Sequence, residues 1–199
     1  MSDMETNIEK RRSIYALGKK EILPHDEVMK IVNHSVKYCP SAFNSQSART
    51  VVLFGKHHDR LWDIVLEVLK PLTPPDKFKK TEEKVLSSFK AGYGTILYYE
   101  DDTTVKALQD KFPLYKEHFP KWSLQSNGML EFTIWSALAE KNIGATLQHY
   151  SPLIDAACQK EWNIPETWKL LAQMPFGSIE APADPKDFMP LEERVKVFG

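Results

Sequence analysis

The sequence predicts an α+β domain, and three observations carry that reading. Stretches with helical spacing of apolar residues and short β-branched runs are mixed along the chain without the regular strand–helix repeat of a parallel α/β fold. The composition, 42% hydrophobic and 27% charged over 199 residues, is that of a globular chain long enough to bury a substantial core. No internal repeat and no shift in composition marks a boundary, so residues 1–199 are expected to form one domain.

The elements follow in order. A short polar helix is expected from Asp3 to Arg11, ending in Arg11-Arg12-Ser13. Pro24 signals the start of a second helix that stops at Pro40, with Val28, Ile31, Val32, Val36 and Cys39 as its core-facing stripe. The polar loop Pro40-Ser41-Ala42-Phe43-Asn44-Ser45-Gln46 leads to Thr50–Phe54, short and β-branched, which reads as a buried strand. Helices are expected over His57–Lys70 and Asp76–Lys90, then a strand over Gly94–Tyr99, then a helix capped by Asp101 or Asp102 and running to about Phe112.

Phe112–Trp122 is aromatic and punctuated by proline, and is expected to be the mobile or variable element. Ser126–Asn142 is apolar on nearly every side, so it needs burial all round, centrally or against another subunit. A short segment Ala145–Leu147 precedes Gln148-His149-Tyr150 and a helix over Pro152–Glu161. Trp168–Glu180 is expected to hold a strand interrupted by Pro175. The tail from Ala181 to Pro190 is proline-rich and extended. In Arg194-Val195-Lys196-Val197-Phe198, a strand period of two would put both cations on one face.

Charge and motifs exclude much. With 26 basic and 27 acidic residues, the net charge of −1 argues against nucleic acid as a partner, though not against a local pocket for one small anion. Two cysteines, Cys39 and Cys158, are too few for a disulfide framework and are expected to be reduced thiols. The polar N-terminal stretch and the lack of a long apolar run point to a cytoplasmic protein without a membrane partner. GxxxxGK[ST], GxSxG and HExxH are all missing, and Gly92-Tyr93-Gly94 precedes a strand where a dinucleotide fingerprint would follow one. No metal site is expected. Cys39, on an apolar stripe, reads as a packing residue.

What remains is cationic and polar. Arg11-Arg12-Ser13 offers two planar, permanently charged groups and a hydroxyl at a helix–loop junction, a set that suits phosphate or a flavin's carbonyl edge. Arg194 and Lys196 add a second cationic pair. Ser41, Asn44, Ser45 and Gln46 provide short polar groups able to meet the edge of a heterocycle.

With these residues on the page, the chain resembles the nitroreductase family over essentially its whole length. The resemblance rests on RRSIYAL near the start, PSAFNSQSAR at 40–49, IGATLQHYSPLID at 143–155 and ERVKVFG at the end, and it is narrowest to the family's short bacterial and fungal branch. It implies an α+β sandwich with a mostly antiparallel central sheet flanked by helices, forming an intertwined homodimer with an FMN in each of two interfacial clefts. Arg11 and Ser13 would hold the phosphate with Arg194 and Lys196, and Arg12 would lie near the flavin's N1–O2 edge. Pro40, Ser41, Asn44 and Gln46 would reach the ring from the partner subunit. Leu147, Gln148 and His149 would run past its N5 and O4 side.

The activity implied is a ping-pong transfer of hydride from NADH or NADPH through flavin N5 to a small aromatic electron acceptor, a nitroaromatic or quinone. The flavin carries that chemistry, so no side chain is assigned a catalytic role. Phe43, Tyr115, Phe119 and Trp122 are candidates for shaping the acceptor cleft. A redox sensor or stress-response protein that binds flavin and has incidental reductase activity is the alternative. One departure stands out: larger relatives carry a tryptophan shortly after the loop glutamine, where this chain has Ser47-Ala48-Arg49.

Overall fold

The computed structural model describes residues 3–199. Its centre is an antiparallel sheet of β1 (Leu17–Gly18), β2 (Ala48–Phe54), β3 (Gly94–Asp101), β4 (Gly144–Ala145) and β5 (Trp168–Ile179). The spatial order is β1-β5-β3-β2, and β4 pairs with β5 beyond its contact with β1. β3 is buried at every position, as a strand covered on both faces must be.

Strand periodicity divides the core. Leu97 and Tyr99 face one side with Val51, Leu53 and Leu170, where α3 (Lys56–Leu69) and α7 (Asp155–Trp162) supply Leu61, Trp62 and Cys158. Ile96 and Tyr98 face the other side with Ala172, Met174 and Phe176, covered by α2 (His25–Tyr38) and α6 (Phe119–Glu140). The remaining helices, α1 (Asp3–Lys10), α4 (Pro75–Lys84), α5 (Asp102–Lys111) and α8 (Leu191–Arg194), lie at the margins. The fold class and the flanked antiparallel sheet are as expected. Among the described residues no helix is long and apolar enough to cross a membrane.

Three expectations need correction. β5 runs unbroken through Pro175, because Pro175 turns its backbone polar edge to the short β4 side. Its carbonyl accepts from Thr146 N at 3.2 Å, so the missing N–H is not subtracted from the ladder with β3. The irregularity in that ladder falls instead at Tyr98/Tyr99. Second, Phe112–Trp122 is regular structure: Pro113–Tyr115 form a helical turn, and α6 begins at Phe119 with Pro120 in its first turn.

α6, expected to need burial centrally or against another subunit, is covered on one side only within a single chain. Phe119, Leu130, Ile134 and Leu138 pack inward, while Leu124, Met129 and Phe132 remain exposed. The third correction is that α2 is rotated from the expected stripe, burying Ser35 and exposing Val36.

Two core features generate tests. Gly177 lies where β5 passes between β1 and Tyr93; a Cβ there would stand 2.2 Å from the Gly18 carbonyl oxygen and 2.9 Å from Tyr93 N. Gly177→Ala is expected to lower unfolding free energy by roughly 1–3 kcal/mol in denaturant titrations, because only backbone movement relieves the clash. His58 is buried; its Nδ1 lies 2.8 Å from the Thr95 hydroxyl, which also accepts from Trp62 Nε1 at 3.1 Å, and its Nε2 lies 3.2 Å from the Lys90 carbonyl.

Burial lowers the His58 pKa from 6.5 to about 4, so the unfolded chain binds a proton there that the folded one refuses. The stabilisation is complete above pH 6.5 and is lost as pH falls from 6.5 towards 4, by about 3 kcal/mol in all. The stability–pH curve of His58→Gln should therefore be flatter across that window. Parallel curves would contradict the assignment.

Candidate functional site

α1 docks against the C-terminal end of α6, where Lys10 Nζ donates to the Glu140 carbonyl at 3.2 Å and Asn7 Nδ2 reaches Glu140 Oε2 at 3.4 Å. An ammonium suits the negative end of a helix. This docking fixes where the chain leaves α1, and Arg11 is the first residue beyond it. The Arg11 guanidinium lies over Trp135, 4.5 Å from the ring centroid, with Phe132 at 6.0 Å. Its Nε is buried and has no hydrogen-bond partner.

Arg12 Nη2 donates to the Asp184 carbonyl, drawing the proline-rich tail back across the N-terminal segment. Ser13 bridges Ala145 in parallel, and Ile14 N donates to the Ala145 carbonyl at 2.9 Å. Between these two stretches opens a cavity of about 440 Å³, lined by Arg11, Arg12, Ser13 and Tyr15 on one side and Ala181–Asp184 and Lys186 on the other.

Among the described residues neither Arg11 nor Arg12 forms an ion pair with a carboxylate. Burial, and then the like charge of Arg12, lower the Arg11 pKa below its ordinary value. The guanidinium stays charged. Lys186 adds a third cation. An anion entering this cavity would meet charge-assisted donors already in place.

Leu147, Gln148 and His149 follow β4 directly, on the Ser13 side of the molecule. Gln148 exchanges backbone hydrogen bonds with Gln173 at 2.7 and 2.8 Å, while its side chain is engaged by Thr146 at 3.0 Å. Leu147 packs on the core and His149 is exposed.

The loop after α2 lies elsewhere. Phe43, Asn44 and Gln46 all have left-handed backbone, with φ of 56°, 51° and 49°. For non-glycine residues each such conformation costs roughly 1 kcal/mol or more and persists only where the surroundings enforce it. Local bonds close the turn: Asn44 N donates to Ser41 O at 2.9 Å, Ser45 N to Ala42 O at 3.1 Å and Gln46 N to Ser41 Oγ at 3.0 Å.

Phe43, half exposed, caps an aromatic cluster. It stacks on Trp122 at 6.0 Å and 19°, and meets Phe112, Phe119 and Tyr115 at 5.0, 5.3 and 5.8 Å. Phe43, Tyr115, Phe119 and Trp122 thus come together, with Phe119 as a buried floor and Phe43 and Tyr115 open. Pro40, Ser41 and Gln46 line a second cavity of about 400 Å³ behind the loop, bounded by Cys39, Arg49 and Trp168.

Arg194 and Lys196 are not on one strand face. Leu191–Arg194 form a helical turn, because Pro190 starts it and Val195 N donates to the Leu191 carbonyl at 2.8 Å. Lys196 Nζ donates to the Glu192 carbonyl at 2.7 Å, and both cations lie outside the Arg11 cavity of their own chain. Three residues of consequence escaped the sequence reading. Tyr15 lines the cavity beside Ser13, and Lys186 reaches it on the tail that Arg12 tethers, a tertiary event with no periodic signature. Glu131 on α6 is half-buried, and burial pushes it up to about 7.

A cationic cradle and an aromatic shelf on one antiparallel sandwich define a ligand-binding α+β protein. The model of the nitroreductase family matches residues 8–178. The nitroreductase FRM2 of Saccharomyces cerevisiae is 32% identical over 186 residues, 92% of this chain and 91% of that protein. Solved structures of the nitroreductase CinD from Lactococcus lactis, in complex with nicotinic acid and with chloramphenicol, are 45% and 44% identical. Each covers 99% of this chain and 100% of the other, with TM-scores of 0.92 and 0.91.

A nitroreductase with bound FMN from Desulfitobacterium hafniense shares the fold at 17% identity, with a TM-score of 0.73 and full coverage of both chains. The chain belongs to the nitroreductase family, and the resemblance in its four motifs is thereby accounted for.

Proposed function

We propose that this protein is an FMN-dependent oxidoreductase working as a homodimer, with each flavin held between two copies. The observation that carries the reading is the Arg11–Arg12 pair: two adjacent guanidinium groups, one with a buried unpartnered Nε, opening on a cavity without a compensating ion pair. A phosphate with about two negative charges is the partner such a site lacks. When bound, FMN would supply two-electron chemistry, taking hydride from NADH or NADPH and passing it to a flat, electron-poor acceptor.

The chain's own residues would bind and orient. Arg11 and Ser13 would hold the phosphate, and Arg12 would stand near the ring's N1–O2 edge. The segment Leu147-Gln148-His149, fastened to Gln173, would pass the opposite edge through backbone groups. Arg194 and Lys196 would supplement the cradle from the C-terminal segment.

Pro40, Ser41 and Gln46 line a cavity that shares no residue with the Arg11 cavity, and Asn44 belongs to the same loop. In this reading one copy supplies the cradle and a second copy supplies the loop. Two unpartnered apolar surfaces support that assembly: Leu124, Met129 and Phe132 on α6, and Leu191, Val195, Val197 and Phe198 on the tail. Phe43 and Trp122 would then shape the acceptor cleft. The complexes of CinD with nicotinic acid and chloramphenicol support a small aromatic acceptor.

Two outcomes are expected. The purified protein should be yellow, or become so on reconstitution with FMN, and should oxidise NADH or NADPH rapidly when a quinone is added. Flavin binding with no turnover would favour the sensor alternative, and no flavin uptake would reject the cofactor. Arg11→Ala should weaken FMN binding by about 1.5–3 kcal/mol, roughly 10- to 150-fold in Kd by fluorescence titration. Unchanged affinity would remove the phosphate from this cradle.

A further inference from the structure

The bent loop from Ser41 to Gln46 closes on itself, but its own hydrogen bonds do not fasten it to the sheet. Arg49, on β2, does so. Its Nη1 donates to the Gln46 carbonyl at 2.6 Å and to the Ala48 carbonyl at 3.1 Å, while Nη2 donates to Asp101 Oδ2 at 2.8 Å. The guanidinium also lies 5.7 Å from the Trp168 ring centroid. Asp101 is fixed in turn: its backbone N donates to the Ser47 carbonyl at 3.0 Å, and its carboxylate accepts from Thr103 N at 3.0 Å and Thr104 Oγ1 at 3.3 Å.

The opposite face of the sheet is anchored independently. Glu100 Oε2 accepts from Asn127 Nδ2 at 3.1 Å, and Asn127 Nδ2 also donates to the Tyr99 carbonyl at 2.9 Å. The loop therefore leaves a platform that is rigid on both faces, and one guanidinium carries the link from that platform to the last of its left-handed residues.

We propose that Arg49 is a positioning residue for the flavin-ring loop: by holding the Gln46 carbonyl against the Asp101 carboxylate, it sets the backbone path of Phe43–Gln46. This rests on the proposed function, in which Asn44 and Gln46 face the flavin. A planar fork addresses a carbonyl and a carboxylate at once; a lysine ammonium keeps the charge opposite Asp101 but cannot span both with the same geometry.

The test is Arg49→Lys in the full-length protein, with Arg49→Met as a second variant. Amide hydrogen exchange of residues 42–47, read without added flavin, should accelerate at least about tenfold in the lysine variant while the core strands stay protected. With FMN bound, the visible circular dichroism of the flavin should change and its reduction by NADH should slow roughly 10- to 100-fold, since positioning within an ångström governs such steps. FMN affinity should fall less than in Arg11→Ala, because the phosphate grip lies on other residues.

Loop exchange, flavin dichroism and reduction rate all unchanged in Arg49→Lys would overturn the proposal. So would faster exchange spread equally over the core in both variants, which would mark Arg49 as a general stabilising residue. If the wild-type protein takes up no FMN while Arg49→Lys still loosens the loop, the flavin reading is what fails and the clamp stands.

Discussion

Two guanidinium groups sit side by side at the end of a helix, one of them pressed on an indole ring, with no carboxylate among the described residues paired to either. Water-exposed arginines would avoid this arrangement, and partly buried ones pay for it in lost hydration and mutual repulsion. Much of the surrounding structure serves to keep them there. Lys10 and Asn7 pin α1 to the end of α6, and the bridge from Ser13 to Ala145 stops the segment from swinging away. The Arg12 bond to the Asp184 carbonyl folds the tail over the gap. On the proposed reading, the partner that such a cluster lacks is an anion.

The sheet explains why the molecule can hold such a site at one end and a bent loop at another. β3, buried throughout, separates two cores, and its neighbours β2 and β5 carry the functional segments outward in opposite directions. β2 begins where the loop ends. β5 pairs with β1 and β4, beside the Arg11 cradle. The rigidity of the centre lets both margins hold unfavourable arrangements: positive φ at Phe43, Asn44 and Gln46 on one side, adjacent like charges on the other.

Much of this was legible from residue order. Helical spacing and β-branched runs located α2, α3, β2 and β3 to within a residue or two at most ends, because local propensity and burial agree there. The cradle was visible as Arg11-Arg12-Ser13, and the aromatics around Phe43 were visible as a set. Pro175 misled, since its effect depends on which neighbour its missing N–H faces. The period of two in Arg194–Phe198 misled because a strand needs a partner, and none pairs with that stretch among the described residues. Lys186 and Arg49 act through contacts made across 172 and 52 positions of sequence at their anchors, Arg12–Asp184 and Arg49–Asp101, which no local pattern encodes.

The central claim is that one chain supplies the cationic cradle and another the ring-facing loop. Mixing subunits tests it most directly: a chain carrying Arg11→Glu is co-expressed with a chain carrying Asn44→Trp under different affinity tags, and the doubly tagged species is isolated. Each parent alone should bind little flavin. The account requires the mixed dimer to regain one FMN for every two chains, because one of its two clefts joins an intact cradle to an intact loop. A mixed species as empty as its parents, or a monomer that binds flavin stoichiometrically, would contradict it.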